Sequence, residues 1–249
     1  MARVTERVRL GPAALNPFTL HPYEIAGQIA MLDAVSEGRA FLGLAKGAWL
    51  DRLRIAEERP LAALQEAVAV VRALLAGDDD GVAGERFGLE PGTTLSYPRI
   101  RPVVPLLIGT WGRRTARWAG TVADEVKVGG SANPALVPVV REWIGNPAVN
   151  VVFGSVSVVD EDGEWARERA RAAVEPYLEV VAGLDPTVEP GDLPLDRFCI
   201  AGTPERVAER VVELWEAGAD RVELGTPQGR TPLAGLELVC ERVLPLLGR

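Results

Sequence analysis

The chain alternates between short apolar runs and longer segments in which apolar residues recur every three or four positions. Continuous apolar runs of four to eight residues are typical of buried strands, and the wider spacing is typical of helices that bury one face. Strands are predicted at residues 8–14, 40–45, 105–110, 125–129, 150–159 and 221–225. This alternation indicates about six βα units around a parallel sheet.

The helical segments carry recognisable start and stop signals. Asn133 and Thr203 stand as N-caps directly before a proline, and Gly38, Gly77 and Gly218 occupy positions where helices end. Helices are predicted at residues 22–36, 60–76, 113–123, 134–144, 164–182, 204–217 and 232–247.

Two long connections interrupt the pattern. The excursion at residues 47–101 follows the second predicted strand and contains a Gly-rich stretch, 81–98, that resembles a hairpin. The irregular segment 185–200 is rich in proline and glycine and is expected to cover the barrel mouth. A length of 249 residues suits a single α/β barrel, so one domain is expected over residues 1–249.

Composition excludes several classes of function. A net charge of −8 argues against a nucleic-acid partner, which needs a basic face. No apolar run approaches the roughly 20 residues that span a membrane, and no signal peptide is evident, so a cytoplasmic protein is expected. The 27 basic residues include two lysines, Lys46 and Lys127, a usage that suggests an actinobacterial source. The cysteines, Cys199 and Cys240, are expected to be core-packing thiols, and no metal site is predicted.

Ligand sites of parallel barrels form at the carboxyl ends of the strands, so the residues that follow each strand are the candidates. The first such segment opens a helix with glycine flexibility, free backbone N–H groups and two guanidinium groups, which together outline an anion site. It comprises Gly109, Thr110, Trp111, Gly112, Arg113 and Arg114. An ordinary βα turn with solvent-exposed arginines explains the same spacing equally well.

Two further strand ends carry candidate residues. Small side chains at Pro12, Ala13 and Ala14 permit close approach of a flat ring, and Asn16 and His21 follow them. The alternative is a tightly packed strand end at which the histidine caps the next helix.

Lys46 follows the strand at 40–45, where a lysine could hold a phosphate or polarise a carbonyl. A solvated loop lysine is the alternative. The sequence contains no Ser-His-Asp set, Walker loop or dinucleotide fingerprint, so hydrolase, kinase and ordinary nucleotide-dehydrogenase functions have no support.

The order of these segments resembles a known family. Residues 10–22 closely resemble the third-strand motif of luciferase-like, F420-dependent methylenetetrahydromethanopterin reductase-type proteins, and residues 32–47 resemble the helix and strand that follow it. Residues 105–120 are similar to the family's phosphate-binding segment, and residues 200–224 to its C-terminal signature. The resemblance implies a TIM-barrel-type (β/α) barrel that binds the deazaflavin coenzyme F420.

The resemblance also implies roles for particular residues. Ala13 and Ala14, beside Pro12, match the position of a non-prolyl cis peptide that supports the back of the deazaflavin ring. Ala45 and Lys46 would line the ring or its side chain, and the segment from Gly109 to Arg114 would receive the cofactor phosphate. The implied chemistry is hydride transfer between reduced deazaflavin and a small organic substrate. Asn16, His21 and Lys46 are the polar candidates nearest the reaction centre.

The chain departs from the family pattern at its start. The third-strand motif normally follows two βα units, whereas here it begins near Met1, so an incomplete or distorted barrel is expected. Ala48 also stands where relatives often have a carboxylate. Unpaired sheet edges invite association, which predicts a homodimer or larger homo-oligomer. Two alternatives remain open: an FMN-dependent monooxygenase of the same superfamily, and a non-catalytic flavin or deazaflavin binder.

Overall fold

The computed structural model describes residues 1–189 and 191–248. The chain forms two compact units, one comprising Met1–Gly109 with Val122–Asp124 and the other Thr110–Thr121 with Glu125–Arg249. The expectation of one domain over residues 1–249 stays a prediction. Within the described residues, no helix is both long enough and apolar enough to cross a membrane.

The first unit contains two parallel strands and two long helices. They follow the order α1 (Pro22–Val35), β1 (Leu42–Ala45), a 3-10 turn (Leu50–Leu53), α2 (Pro60–Ala76) and β2 (Leu106–Gly109). The register of β1 and β2 runs from the pair Leu42 and Leu106 to the pair Ala45 and Gly109. Helix α2 ends at Gly77, whose φ of +79° suits a residue without a Cβ atom. The predicted bounds of α2 are thereby confirmed.

A buried carboxylate fixes the end of α1 to the start of β1. Asp33 is 2% exposed and accepts the backbone N–H of Ala40 at 3.1 Å. The guanidinium of Arg101 donates to both oxygens of Asp33, at 2.8 and 2.7 Å. Because the buried carboxylate is paired and hydrogen-bonded on both oxygens, its burial is tolerated.

The predicted strand at residues 8–14 is wrong as a continuous strand. The segment runs beside β1 but forms two isolated parallel bridges, Leu10 with Ala40 and Leu15 with Leu44. Pro12 lies between them and has no N–H to donate, so the ladder of hydrogen bonds is interrupted there.

The excursion after β1 contains the predicted hairpin in a small form. Val82 and Leu89 form an antiparallel bridge and exchange both backbone hydrogen bonds, at 2.9 and 2.8 Å. The carboxylate of Glu66, on α2, accepts the N–H groups of Glu85, Arg86 and Phe87 at 3.0, 2.8 and 3.0 Å. The side chain of Glu66 therefore attaches the hairpin to α2.

These contacts predict a pH-dependent stability. The backbone N–H groups of Glu85 and Phe87 lower the pKa of Glu66 from its ordinary 4.5. Glu66→Gln should lower the free energy of unfolding at pH 7 by about 1–2 kcal/mol, because an amide replaces a charged acceptor at a partly exposed site. A group with a depressed pKa stabilises the fold above its unfolded pKa and loses that effect as the pH falls through the folded value.

Urea titrations of both proteins at pH 7 and at successive values below 4.5 test this prediction. The difference between them should shrink as the pH falls, because protonated Glu66 resembles glutamine. Gln65→Ala, at the exposed neighbouring position on α2, should change stability by less than about 0.5 kcal/mol. An equal deficit at every pH would contradict the proposed role of the carboxylate.

The described residues of the second unit form four strands, all of which pair in parallel with neighbours. Its elements are α3 (Arg113–Val122), β3 (Glu125–Gly129), α4 (Leu136–Ile144), β4 (Asn150–Val159), α5 (Gly163–Val174), α6 (Leu178–Leu184), β5 (Cys199–Gly202), α7 (Pro204–Glu216), β6 (Arg221–Gln228), α8 (Pro232–Leu238) and α9 (Leu244–Leu246). The ten-residue strand β4 pairs with β3, β5 and β6. The predicted bounds of β3 and β4 are confirmed.

Strand β5 lies at the end of the segment predicted as an irregular loop, 185–200. This prediction is wrong for Cys199 and Ile200, which begin β5, and the buried strand pairs with the last four residues of β4. Pro190, within the same predicted loop, lies outside the described residues. Four residues give too short an apolar run to distinguish a strand from a loop by periodicity.

Two helices predicted as continuous are interrupted. The predicted helix at 164–182 divides into α5 and α6 at a 3-10 turn, Glu175–Tyr177, that contains Pro176. Proline lacks the N–H that an interior helical position donates, which explains the break. The predicted helix at 232–247 contains α8, a π-helical turn at Val239–Val243, and α9.

Two ion pairs join alternate residues of β3 to alternate residues of β6. Lys127 Nζ lies 2.7 Å from the carboxylate of Glu223, and Arg221 is paired with Glu125. Gly154 of β4 lies between the first pair: a methyl group on its Cα would stand 3.1 Å from Lys127 Cε and 3.2 Å from Glu223 Cβ. The absence of a side chain at this position leaves room for the pair to cross β4.

Candidate functional site

The segment that contains the predicted cis peptide packs directly on β1. A methyl group on Gly43 would lie 2.3 Å from the carbonyl oxygen of Pro12 and 3.0 Å from Ala13 Cα, so the two backbones meet at a position that needs glycine. The peptide bond between Ala13 and Ala14 is cis, which confirms what the family resemblance implies for this pair.

Small residues at the carboxyl ends of β1 and β2 form one patch. Ala45 and Gly109 are paired across the two strands, and a methyl group on Gly109 would lie 3.2 Å from Ala45 Cβ and 3.9 Å from Ala14 Cβ. Ala14 is exposed, and Ala45 and Gly109 are half-buried. We refer to Ala14, Ala45 and Gly109 as the small-residue floor. No side chain larger than a methyl group rises from its three residues.

The side-chain oxygen of Asn16 organises the turn that follows the floor. Asn16 Oδ1 accepts the N–H groups of Phe18 and Thr19, at 3.1 and 3.0 Å, and the hydroxyl of Thr19 at 3.1 Å. Its side chain lies against Gly47, where a methyl group would stand 3.1 Å from Asn16 Cγ. Because Asn16 Oδ1 already accepts these three hydrogen bonds, the amide nitrogen is the group suited to contact a ligand.

His21 occupies the N-cap of α1. Its Nδ1 accepts the N–H of Tyr23 at 3.1 Å, and its ring meets the ring of Phe87 edge to face at 5.6 Å. The capping alternative raised by the sequence is therefore realised in the structure. The catalytic role of His21 stays a prediction.

Lys46 follows the last residue of β1 and is exposed. Trp49, three residues later, is 44% exposed, with the guanidinium carbon of Arg52 located 5.6 Å from its ring. Lys46 and Trp49, which follow β1 in the chain, therefore place a charged and an aromatic side chain at the surface.

The start of α3 is built within the second unit. Thr110 donates its N–H to the carbonyl of Lys127 at 2.9 Å, and its hydroxyl oxygen accepts the N–H of Gly112 at 2.9 Å. Trp111 Nε1 donates to the carbonyl of Gly129 at 2.7 Å. These bonds fix the turn, while the first N–H groups of a helix have no partner inside it.

Two exposed arginines stand at this helix start. Arg113 lies 3.8 Å from Glu142, with both side chains more than half exposed, and Arg114 is also exposed. Orphan backbone donors, the positive end of the helix dipole and two guanidinium groups together suit a phosphate or another anion. Gly109, the residue just before this turn in the chain, belongs to the small-residue floor.

Sequence reasoning missed a cluster at the carboxyl ends of β4 and β6. Arg230 donates to both oxygens of Asp160, at 2.8 and 3.1 Å, and its guanidinium carbon lies 4.3 Å from the ring of Trp165. Burial raises the pKa of Asp160, but the bonds from Arg230 and from the N–H of Asp162 outweigh it, and the net pKa is lowered. The available signal was an arginine five residues after the strand predicted at 221–225.

The two cysteines differ in environment. Burial raises the pKa of Cys199 to about 12, and this residue packs in the core of the second unit as predicted. Cys240 is exposed, so its prediction as a core-packing thiol is wrong. Among the described residues, one group of three carboxylates is close enough to share a cation, the exposed run Asp78, Asp79 and Asp80. It lies after α2, and acidic residues are common on surfaces without a metal.

Parallel βα units of this kind are typical of α/β proteins of the barrel class. The family model described as luciferase-like monooxygenase matches residues 1–221. The chain belongs to this family.

Individual relatives agree with the family assignment. The 5,10-methylenetetrahydromethanopterin reductase of Archaeoglobus fulgidus is 28% identical over 99% of this chain and 85% of its own length. The F420-dependent glucose-6-phosphate dehydrogenase of Microbacterium testaceum is 25% identical over 98% of this chain and 79% of its own.

Among solved structures, the coenzyme F420-dependent tetrahydromethanopterin reductase of Methanopyrus kandleri superposes with a TM-score of 0.84. It is 25% identical, and the match covers 98% of this chain and 84% of that one. This likeness confirms the predicted fold class, a TIM-barrel-type (β/α) fold with about six recognisable strands.

Proposed function

We propose that this protein is an F420-dependent oxidoreductase that transfers a hydride between reduced deazaflavin and a small organic substrate. The proposal is carried by the closeness of Gly109 to Ala45 and Ala14, which brings three residues with no side chain larger than a methyl group together beside the ends of two strands. The relatives support the choice of cofactor, since two of those described above are F420-dependent enzymes. The bound deazaflavin would supply the hydride donor or acceptor.

The residues of this chain would bind and orient the cofactor. Ala14, Ala45 and Gly109 would leave space for a planar ring, and the backbone at Pro12 and Ala13, which packs on Gly43, would support the back of that ring. The turn and helix start would hold the cofactor phosphate through the N–H groups of Arg113 and Arg114, with their guanidinium groups adding positive charge. Thr110, Trp111 and Gly112 would keep this turn in shape through the hydrogen bonds described above.

Three polar side chains are proposed nearest the reaction centre. The ammonium group of Lys46 would pair with an anionic or carbonyl oxygen, and the amide nitrogen of Asn16 would donate a hydrogen bond to the substrate or ring. His21 would present Nε2, the ring nitrogen that is not used in capping α1. In the same proposal the protein is cytoplasmic and forms a homodimer or larger homo-oligomer. Sedimentation of the purified chain would test the oligomeric state.

A titration with two cofactors tests the proposal. Purified protein should bind F420 with micromolar or tighter affinity, measured by its fluorescence, and bind FMN more weakly. Reduced F420 should then be reoxidised in the presence of a suitable member of a panel of aldehydes, ketones, imines and activated alkenes. Arg113→Ala combined with Arg114→Ala should weaken F420 binding by about tenfold or more, because charge-assisted bonds to a phosphate are lost.

The outcomes separate the proposed enzyme from its two alternatives. Tight FMN binding without F420 binding, together with oxygen consumption by the reduced flavin, would favour a monooxygenase. Tight F420 binding without turnover by any acceptor class would favour a non-catalytic binder. Retention of full F420 affinity in the double arginine variant would overturn the phosphate assignment.

A further inference from the structure

The first unit contains a cavity of about 370 Å³ between α2 and the strands β1 and β2. Its walls are apolar and deeply buried: Leu44, Val71 and Leu75 are 0%, 2% and 5% exposed. The space opens to solvent on one side, where the lining residues are exposed. Its volume lies within the range of small-molecule pockets.

Among the residues that line the cavity, one is charged, and this residue, Arg72, lies at the mouth. Arg72, Ala76, Pro102 and Val103 line it and are exposed, whereas the strand residues that line it are buried. The guanidinium of Arg72 donates to the carbonyl of Val122 through one nitrogen, and a guanidinium has five N–H donors. A positive group with donors to spare thus stands where an apolar space meets solvent.

This cavity is distinct from the small-residue floor. Leu42 and Leu44 of β1 line the cavity, whereas Ala45 and Gly43 alternate with them along the strand and point to the other face. The cavity also includes Leu106, the first residue of β2, while the floor includes Gly109, the last. A ligand in one site therefore does not occupy the other.

We propose that this cavity binds a single unbranched acyl chain whose carboxylate pairs with Arg72. Water finds few hydrogen-bond partners between leucine and valine side chains, and cavities with such walls take up hydrocarbon instead. The only charged lining residue is cationic and lies at the mouth, so the ligand is an anion at one end and a hydrocarbon at the other. A medium-chain fatty carboxylate has this chemistry.

A chain-length series tests the proposal in the full chain. Calorimetric titration with sodium hexanoate, heptanoate, octanoate and decanoate, each below its micelle concentration, should show affinity rising about fourfold for each added methylene group. Arg72→Met should weaken decanoate binding by about tenfold and leave decanol binding unchanged. Equal affinity for the whole series, or equal effects of Arg72→Met on decanoate and decanol, would overturn the proposal.

Blocking variants test the location. Val71→Trp fills the cavity from α2 and should abolish decanoate binding, while Ala69→Trp, at an exposed position of the same helix, should not. If Val71→Trp does not fold, Val103→Trp should block entry without altering the core, because Val103 lies at the mouth and is 68% exposed. Decanoate binding that survives both blocking variants would place the ligand elsewhere. Decanoate binding that disappears as self-association of the protein increases would assign the cavity to a second copy of the chain. F420 titration of the same variants should be unchanged, which separates this proposal from the proposed function.

Discussion

Gly109→Leu should weaken the binding of coenzyme F420 by about 100-fold and leave the fold intact. The first side-chain carbon would lie 3.2 Å from Ala45 Cβ and 3.9 Å from Ala14 Cβ, and the rest of the leucine would stand on the small-residue floor. Gly109 is absent from the described residues with positive φ, so its backbone conformation is one that ordinary residues adopt, and the 3.2 Å approach to Ala45 Cβ requires a shift of a few tenths of an ångström. The loss should therefore appear in binding rather than in stability.

Fluorescence titration with F420 measures this effect, and circular dichroism of the same samples reports the fold. Gly183→Leu is the matched control, because a methyl group at Gly183 would meet nothing within 4 Å. The control should bind F420 as the unmodified protein does. Unchanged affinity in Gly109→Leu would show that the ring does not approach this floor, and the cofactor assignment would lose its main support.

Elements with strong terminal signals were predicted with accurate bounds. Helix α2 begins at Pro60 and ends before Gly77, and its apolar residues recur at helical spacing between these residues. Strand β4 is a continuous run of ten residues, long enough to be recognised by composition. Strand β5 has four residues beside a proline- and glycine-rich segment, so its local pattern carried too little information.

The candidate site was predictable only where its residues are close in the chain or covered by the family resemblance. The cis peptide between Ala13 and Ala14 came from the resemblance, since no local pattern specifies such a bond. The pairing of Arg230 with Asp160 joins residues 70 positions apart, and it depends on the parallel pairing of β4 and β6. Contacts of this kind follow from strand order, which periodicity alone does not determine.

Breaking the ion pair between Lys127 and Glu223 should destabilise the second unit. Glu223→Leu should lower the free energy of unfolding by about 2–4 kcal/mol, because it leaves the Lys127 side chain, 11% exposed, without its carboxylate partner. Lys127→Met should cost about 1–2 kcal/mol, because Glu223 is 35% exposed and retains access to water. Urea denaturation monitored by circular dichroism measures both.

The double variant decides whether the pair or the burial of each charge sets the stability. Replacing both residues removes the buried charges together, so the double variant should be less destabilised than the sum of the single variants by about 1–3 kcal/mol. Arg167 and Asp196 provide the control, with the same 2.7 Å separation but 45% and 49% exposure, and Arg167→Met should cost about 0.5 kcal/mol. Additive effects of Lys127→Met and Glu223→Leu would mean that the two charges are stabilised independently. The room that Gly154 leaves between them would then contribute nothing to stability.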